Sequence, residues 1–176
     1  MIRLNENETQ ALVELLQPEI IRNLNPNYRA ILEELHNKLT HTDKVDLYVD
    51  GAADLHSKTA GIGGGFYRNG EELFAFSEYL DDATNNDAEY SALIKGLETA
   101  KVLCVNQLNI YADSELVVKQ INGQYKVKHP RMKILHSKVM ILLKTLESWS
   151  VQHIPREKNT VADKLSKEGR MKGKRK

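Results

Sequence analysis

The stretch Asp46-Leu47-Tyr48-Val49-Asp50-Gly51-Ala52-Ala53 reads as a short buried strand of β-branched and aromatic residues that ends in a carboxylate and a glycine. A carboxylate at the end of an apolar strand loses most of its hydration unless a cation meets it. Asp50 is therefore the residue whose partner must be found. Three further acids stand in matching settings. Glu89 falls in the first turn of a helix expected over about 87–103, Asp113 ends a strand expected over 107–112, and Asp163 sits in a final helix starting near Asn159. Four carboxylates with no cysteine and few converging histidines make an all-oxygen donor set. Such a set suits hard Mg²⁺ or Mn²⁺ and not zinc.

Downstream of Asp50, residues 61–68 and 71–79 read as two strands joined at Asn69-Gly70, a favoured dipeptide for a tight hairpin turn. The glycines at 61, 63, 64 and 65 lack the third glycine of a dinucleotide loop and lead into a strand, which excludes that reading. After the Glu89 helix come the 107–112 strand, a short helix stopped at Gly123, a helix opened by Pro130, a last strand over 149–154 and the Asp163 helix, with Val161, Ala162 and Leu165 facing inward. Three antiparallel strands followed by crossovers through helices require a mixed sheet. With the first strand central, Asp50 and Asp113 meet at one sheet edge, where open α/β sheets place their ligands.

The composition narrows the classes. At 176 residues and 41% hydrophobic the chain supports one good core with an appendage. Lys plus Arg at 25 against Asp plus Glu at 24 gives no overall basic field, so a nucleic-acid partner must be met locally. The single cysteine, Cys104, excludes an internal disulfide and a thiolate zinc cage; it reads as a small core residue at a helix end. No apolar run approaches the roughly 18 to 20 residues that span a bilayer, so no membrane partner is expected and the location expected is cytoplasmic.

Residues 1–43 have a different texture, rich in Leu, Glu and Asn and punctuated by Pro18 and Pro26. Tyr28, Ile31, Leu32, Leu35 and Leu39 recur at spacings of three and four after the Asn25-Pro26 start signal, which predicts a helical arm. Its apolar stripe needs a cover: the main domain, a second copy through self-association, or another protein. The organisation expected is an arm over 1–43 with a linker at Thr40-His41-Thr42-Asp43, a catalytic domain over 44–169 and a basic tail over 170–176.

Four segments carry a specific likeness. Tyr48-Val49-Asp50-Gly51, Thr84-Asn85-Asn86 with Glu89 three positions on, Ala112-Asp113-Ser114, and Asn159 with Ala162-Asp163 resemble the signature segments of type 1 ribonuclease H, in order and at approximate spacing. The resemblance covers 45 to about 169. It implies an α/β ribonuclease H-like fold, a five-stranded mixed sheet of order 3-2-1-4-5 flanked by helices, with the N-terminal helical arm as an extension. It also implies hydrolysis of the RNA strand of an RNA-DNA hybrid to 5'-phosphate and 3'-hydroxyl ends, assisted by two Mg²⁺ or Mn²⁺ ions. By the same resemblance Asp50 bridges both ions, Asp163 serves the nucleophile side, and Glu89 and Asp113 serve the leaving-group side.

His153, ten residues before Asp163, matches a histidine of bacterial members; it is open to an auxiliary acid/base role, or it or Arg156 to backbone phosphate contact alone. Gly51, Thr84, Asn85, Asn86, Ser114, Arg156 and Asn159 are the expected substrate contacts, although Asn85 and Asn86 could instead cap the Glu89 helix. Two departures stand out. Glu115 replaces a common Gln, and the basic protrusion is missing, leaving Lys119, Lys126, Lys128, Arg131 and Lys133 as a thinner positive surface. The competing readings are a transposase, resolvase or exonuclease of the same fold, and a catalytically silent module that binds nucleic acid or protein. The terminal Asp163 and the Asp50-Gly51-Ala52 order argue against the first.

Overall fold

The computed structural model describes residues 6–40, 44–54, 56 and 58–173, which divide by their contacts into two units, 1–44 and 45–176. In the first unit, α1 (Glu6–Leu15) and α2 (Pro18–Arg22) pack against α3 (Pro26–Thr40). Prolines begin α2 and α3, where the missing N–H is no loss. Ile20, Leu24, Tyr28, Ile31 and Leu35 remain exposed. The linker residues 41–43 lie outside the described residues.

The second unit is built on a five-stranded sheet of order β3-β2-β1-β4-β5. Its strands are β1 (Val45–Asp54), β2 (Thr59–Arg68), β3 (Glu71–Asp81), β4 (Gln107–Ala112) and β5 (Ser148–His153). β1 runs antiparallel to β2 and parallel to β4; β2 and β3 form the hairpin, and β4 and β5 are parallel. Asn69 and Gly70 both have positive φ, 53° and 83°, as a two-residue turn of primed type demands.

One sheet face carries the main core. Leu47 and Val49 of β1 and Leu108 and Ile110 of β4 lie buried with Leu93 and Leu97 of α4 (Asn85–Val102) and with Val139 and Leu143 of α6 (Pro130–Leu143). The short α5 (Glu115–Ile121) joins this layer, and the buried Tyr90 hydroxyl of α4 donates to Gln120 Oε1 at 2.7 Å. On the other face α7 (Thr160–Lys172) lies across β1, β2 and β3. Gly61 and Gly63 permit this approach: a Cβ at either would collide with α7 backbone at Leu165, Ser166 or Arg170. The glycine cluster is thus a floor for a helix and not a loop for phosphate.

Several expectations change. β1 does not stop at Asp50; it continues to Asp54 because β2 still pairs with it, Asp50 opposite Gly63 and Asp54 opposite Thr59. Pairing with β4 ends at Val49 and Ala112, so Asp50 is where β1 loses one neighbour. Cys104 is exposed, not core. It has φ 55° just beyond α4, with Cys104 N–H donating to Lys101 O and Val105 N–H to Ala100 O, the closing turn usually given to glycine. Val161 is exposed, because the inward face of α7 runs through Ala162, Ser166 and Gly169. Lys172, read as tail, ends α7; residues 174–176 lie outside the described residues.

Candidate active site

The site forms where β1 and β4 part. Asp50 is buried on β1, Asp113 follows β4 directly, and Glu89 projects from the second turn of α4, one residue later than a first-turn reading placed it. One carboxylate oxygen from each of Asp50, Glu89 and Asp113 lies within 4.8 Å of the others. Gly51 makes this possible. A Cβ there would strike the Ala88–Glu89 backbone, so only glycine lets the start of α4 sit against β1.

The N-terminal turn of α4 is locked locally. Thr84 is its N-cap: Asp87 N–H donates to Thr84 Oγ1 at 3.3 Å, and Thr84 N–H donates to Asp87 Oδ2 at 3.0 Å. Arg131 pairs with the same Asp87 at 2.9 Å. The capping task thus falls to Thr84, and Asn85 does something else. Its Oδ1 accepts from Ala53 N–H at 3.0 Å and ties the far end of β1 to α4. Asn86 is exposed beside it.

Burial and crowding perturb Asp50 and Glu89. Burial raises Glu89 most, with the charges of Asp50 and Asp113 adding to it, to about 9. Asp50 rises to about 6, chiefly through burial and the neighbouring acids, against a lowering hydrogen bond from Ser166. Carboxyls that hold protons near neutrality for want of positive charge form a site that fits a hard cation.

Asp163 stands apart from this group. Arg156 donates to its Oδ1 from Nε at 3.0 Å, and Lys167 Nζ meets its Oδ2 at 2.5 Å. Burial alone would raise Asp163, but the Lys167 and Arg156 hydrogen bonds outweigh it and hold the carboxyl below its ordinary range. Asn159, the buried residue before α7, donates from Nδ2 to Val49 O at 2.9 Å and so fixes α7 to β1 one residue before Asp50. His153 is exposed at the end of β5, in register with Ala112. Ser114 is the N-cap of α5 but makes no side-chain capping bond, and Glu115 pairs with Lys119 at 2.6 Å.

Sequence reasoning missed the part played by α7. Ser166, Lys167 and Arg170 follow Asp163 at three, four and seven positions, the spacing of one helix face. Ser166 Oγ donates to Asp50 Oδ2, and Lys167 and Arg170 line the same cleft as the acids. That periodicity was the available signal.

The profile of a family described as reverse transcriptase-like matches residues 48–169. The ribonuclease HI of Halobacterium salinarum is 33% identical over 132 residues, which cover 71% of this chain and 63% of that protein. The crystal structure of the RNase H1 from that archaeon superimposes with a TM-score of 0.69 at 32% identity, covering 72% of this chain and 96% of the other. The chain belongs to the type 1 ribonuclease H family. LC11-RNase H1, solved in complex with RNA/DNA hybrid, gives a TM-score of 0.70 at 36% identity over 74% of this chain and 99% of that one. The bifunctional protein Rv2228c of Mycobacterium tuberculosis is 34% identical over 125 residues. This chain spans 34% of that relative's length, so the match is to one part of a longer protein. The sheet order is the one that the family implies. Among the described residues no helix is long and apolar enough to cross a membrane.

Proposed function

We propose that this chain is an endonuclease that hydrolyses the RNA strand of RNA-DNA hybrids, leaving 5'-phosphate and 3'-hydroxyl ends. The observation that carries this reading is the convergence of Asp50, Glu89 and Asp113 at the edge where β1 and β4 separate. These three would hold two divalent cations, Mg²⁺ or Mn²⁺, with Asp163 as the fourth ligand. When bound, such ions polarise a phosphodiester, favour deprotonation of water and stabilise charge on the leaving oxygen.

The remaining work belongs to the protein. Asp50 and Glu89 would each supply a carboxyl oxygen to the cation, and bound positive charge would favour the deprotonated form of Glu89. Arg156 and Lys167, now spent on Asp163, are half to two-thirds exposed and can turn to backbone phosphate. Thr84, Asn85, Asn86 and Ser114 would read 2'-hydroxyls from the start of α4 and the end of β4, with Gly51 holding α4 in place against β1. Asn159, expected as a substrate contact, is buried and instead supports β1 beside Asp50 through its bond to Val49 O. His153, exposed at the end of β5, can pass a proton to or from the scissile region or bind phosphate. Residues 44–169 form the catalytic domain in this reading. The arm and the basic tail supply protein contact or self-association and added phosphate attraction.

The test is cleavage of a uniformly labelled RNA-DNA hybrid, with duplex RNA, duplex DNA and a single-ribonucleotide duplex alongside, in Mg²⁺, Mn²⁺ and EDTA. Metal-dependent cutting of only the hybrid's RNA strand, lost in Asp50→Asn, is expected. Binding of hybrid without cutting in either metal would instead make the chain a silent binding module.

A further inference from the structure

The hydroxyl of Ser166 is more than packing requires. Ser166 is fully buried on the face of α7 that meets the β2 glycine floor, and its backbone is what a Cβ on Gly61 or Gly63 would strike. An alanine would satisfy that close approach. The hydroxyl would also be satisfied locally, since the carbonyl of Asp163 lies 2.9 Å from Oγ, one helical turn back. Yet Oγ also reaches across to Asp50 Oδ2. A hydroxyl has one hydrogen, and two acceptors face it. The carboxylate is the stronger acceptor because it is charged, so the hydrogen goes there.

We infer that Ser166 is a positioning residue for Asp50. Its hydroxyl holds one oxygen of the carboxylate toward α7, which sets the orientation in which Asp50 faces Glu89 and Asp113. The same contact joins Asp50 to the helix that carries Asp163 and Lys167, so the two halves of the site move together. The other side-chain hydrogen bond of Asp50 is to Asp113, an acid of the same group, so Ser166 is the neutral donor that holds its carboxylate from outside that group. This inference rests on the reading of the acids as a cation site.

The internal control is Ser77. Its hydroxyl also ties α7 to the sheet, donating to Leu165 O at 2.7 Å, but it touches no carboxylate. The experiment is Mn²⁺ binding alone, without nucleic acid, followed by electron paramagnetic resonance on wild type, Ser166→Ala and Ser77→Ala. Carboxyl ¹³C shifts in EDTA report the side chains directly. Loss of a donor that orients a metal ligand costs about tenfold in affinity or more, so Ser166→Ala should weaken Mn²⁺ by about that factor and move the Asp50 carboxyl signal. Ser77→Ala should bind within about twofold of wild type even if α7 is loosened. Unchanged Mn²⁺ affinity in Ser166→Ala would overturn the inference while leaving the cation site standing. Equal weakening in both variants would also overturn it, by tracing the effect to the seating of α7. A wild type that binds no Mn²⁺ would sink the inference and the proposed function together.

Discussion

Two carboxylates in this molecule, Asp50 and Asp163, sit on facing elements joined by Ser166, and their electrostatics are opposite. Asp50, with Glu89 and Asp113, has other acids as its neighbours and is pushed up to about 6. Asp163 has Arg156 and Lys167, and is held down. Burial raises both and is the largest cause at Asp50, whereas at Asp163 the hydrogen bonds from Lys167 and Arg156 outweigh it. The sheet edge and α4 contribute Asp50, Asp113 and Glu89 with no ion pair of their own among the described contacts, whereas α7 contributes an acid already met by Lys167 and by Arg156 just before the helix. A divalent ion would therefore gain most at the Asp50 group and would have to compete at Asp163.

The contrast is broken most severely by Asp50→Asn. Hybrid cleavage should fall below detection and Mn²⁺ binding should be lost, while the circular dichroism spectrum stays that of wild type. Retained cleavage would remove Asp50 from the centre of the site. The next largest effect concerns Glu89. Its pKa rises on folding from 4.5 to about 9, so the folded state binds the extra proton between those values. Stability from this group is complete below pH 4.5 and is lost as pH rises toward 9. In EDTA the wild type should thus melt at lower temperature at pH 8 than at pH 5. Glu89→Gln keeps an oxygen that can accept from Gly51 N–H and removes the charge. It should be more stable than wild type at pH 8 by on the order of 2 kcal/mol, or roughly 4 to 8 °C in Tm. Mg²⁺ should raise the wild-type Tm more at pH 8 than at pH 5, and should do so weakly in the variant. Equal pH slopes for the two proteins would show that Glu89 carries no such penalty.

Much of this arrangement was legible in the residues. Strand alternation, the Asn69-Gly70 turn and the crossover rule were enough for a mixed sheet, the likeness to the ribonuclease H family supplied its strand order, and the apolar strand ending in Asp50 located the edge. What escaped was tertiary. The end of β1 at Asp54 depends on continued pairing with β2, which no local pattern records. Cys104 looked like core because cysteine usually is; its left-handed φ answers to the closure of α4 instead. Thr84, not an asparagine, caps α4, and Asn85 is freed to bind β1. Ser166 and Lys167 were hidden because a serine and a lysine on a helix read as surface until the glycines of β2 show how closely α7 sits.

The smallest effect belongs to the other arm of the comparison. Asp163 is depressed, so its contribution to stability is present above the unfolded value of 3.8 and disappears as pH falls through the folded one. Its two cations are exposed, with side-chain accessibilities of 65% for Arg156 and 53% for Lys167, and solvent screens them. Lys167→Met should therefore cost under about 1 kcal/mol at pH 7, with a loss that shrinks in high salt. The Asp163 carboxyl, followed by ¹³C chemical shift, should titrate at higher pH in the variant. With one competitor gone, Asp163 should also become a better ligand, so the Mn²⁺ affinity of Lys167→Met should hold or rise even as its affinity for hybrid falls. A drop in Mn²⁺ affinity would mean that Lys167 organises Asp163 for the cation, and the division between an open acidic group and a protein-neutralised one would have to be given up.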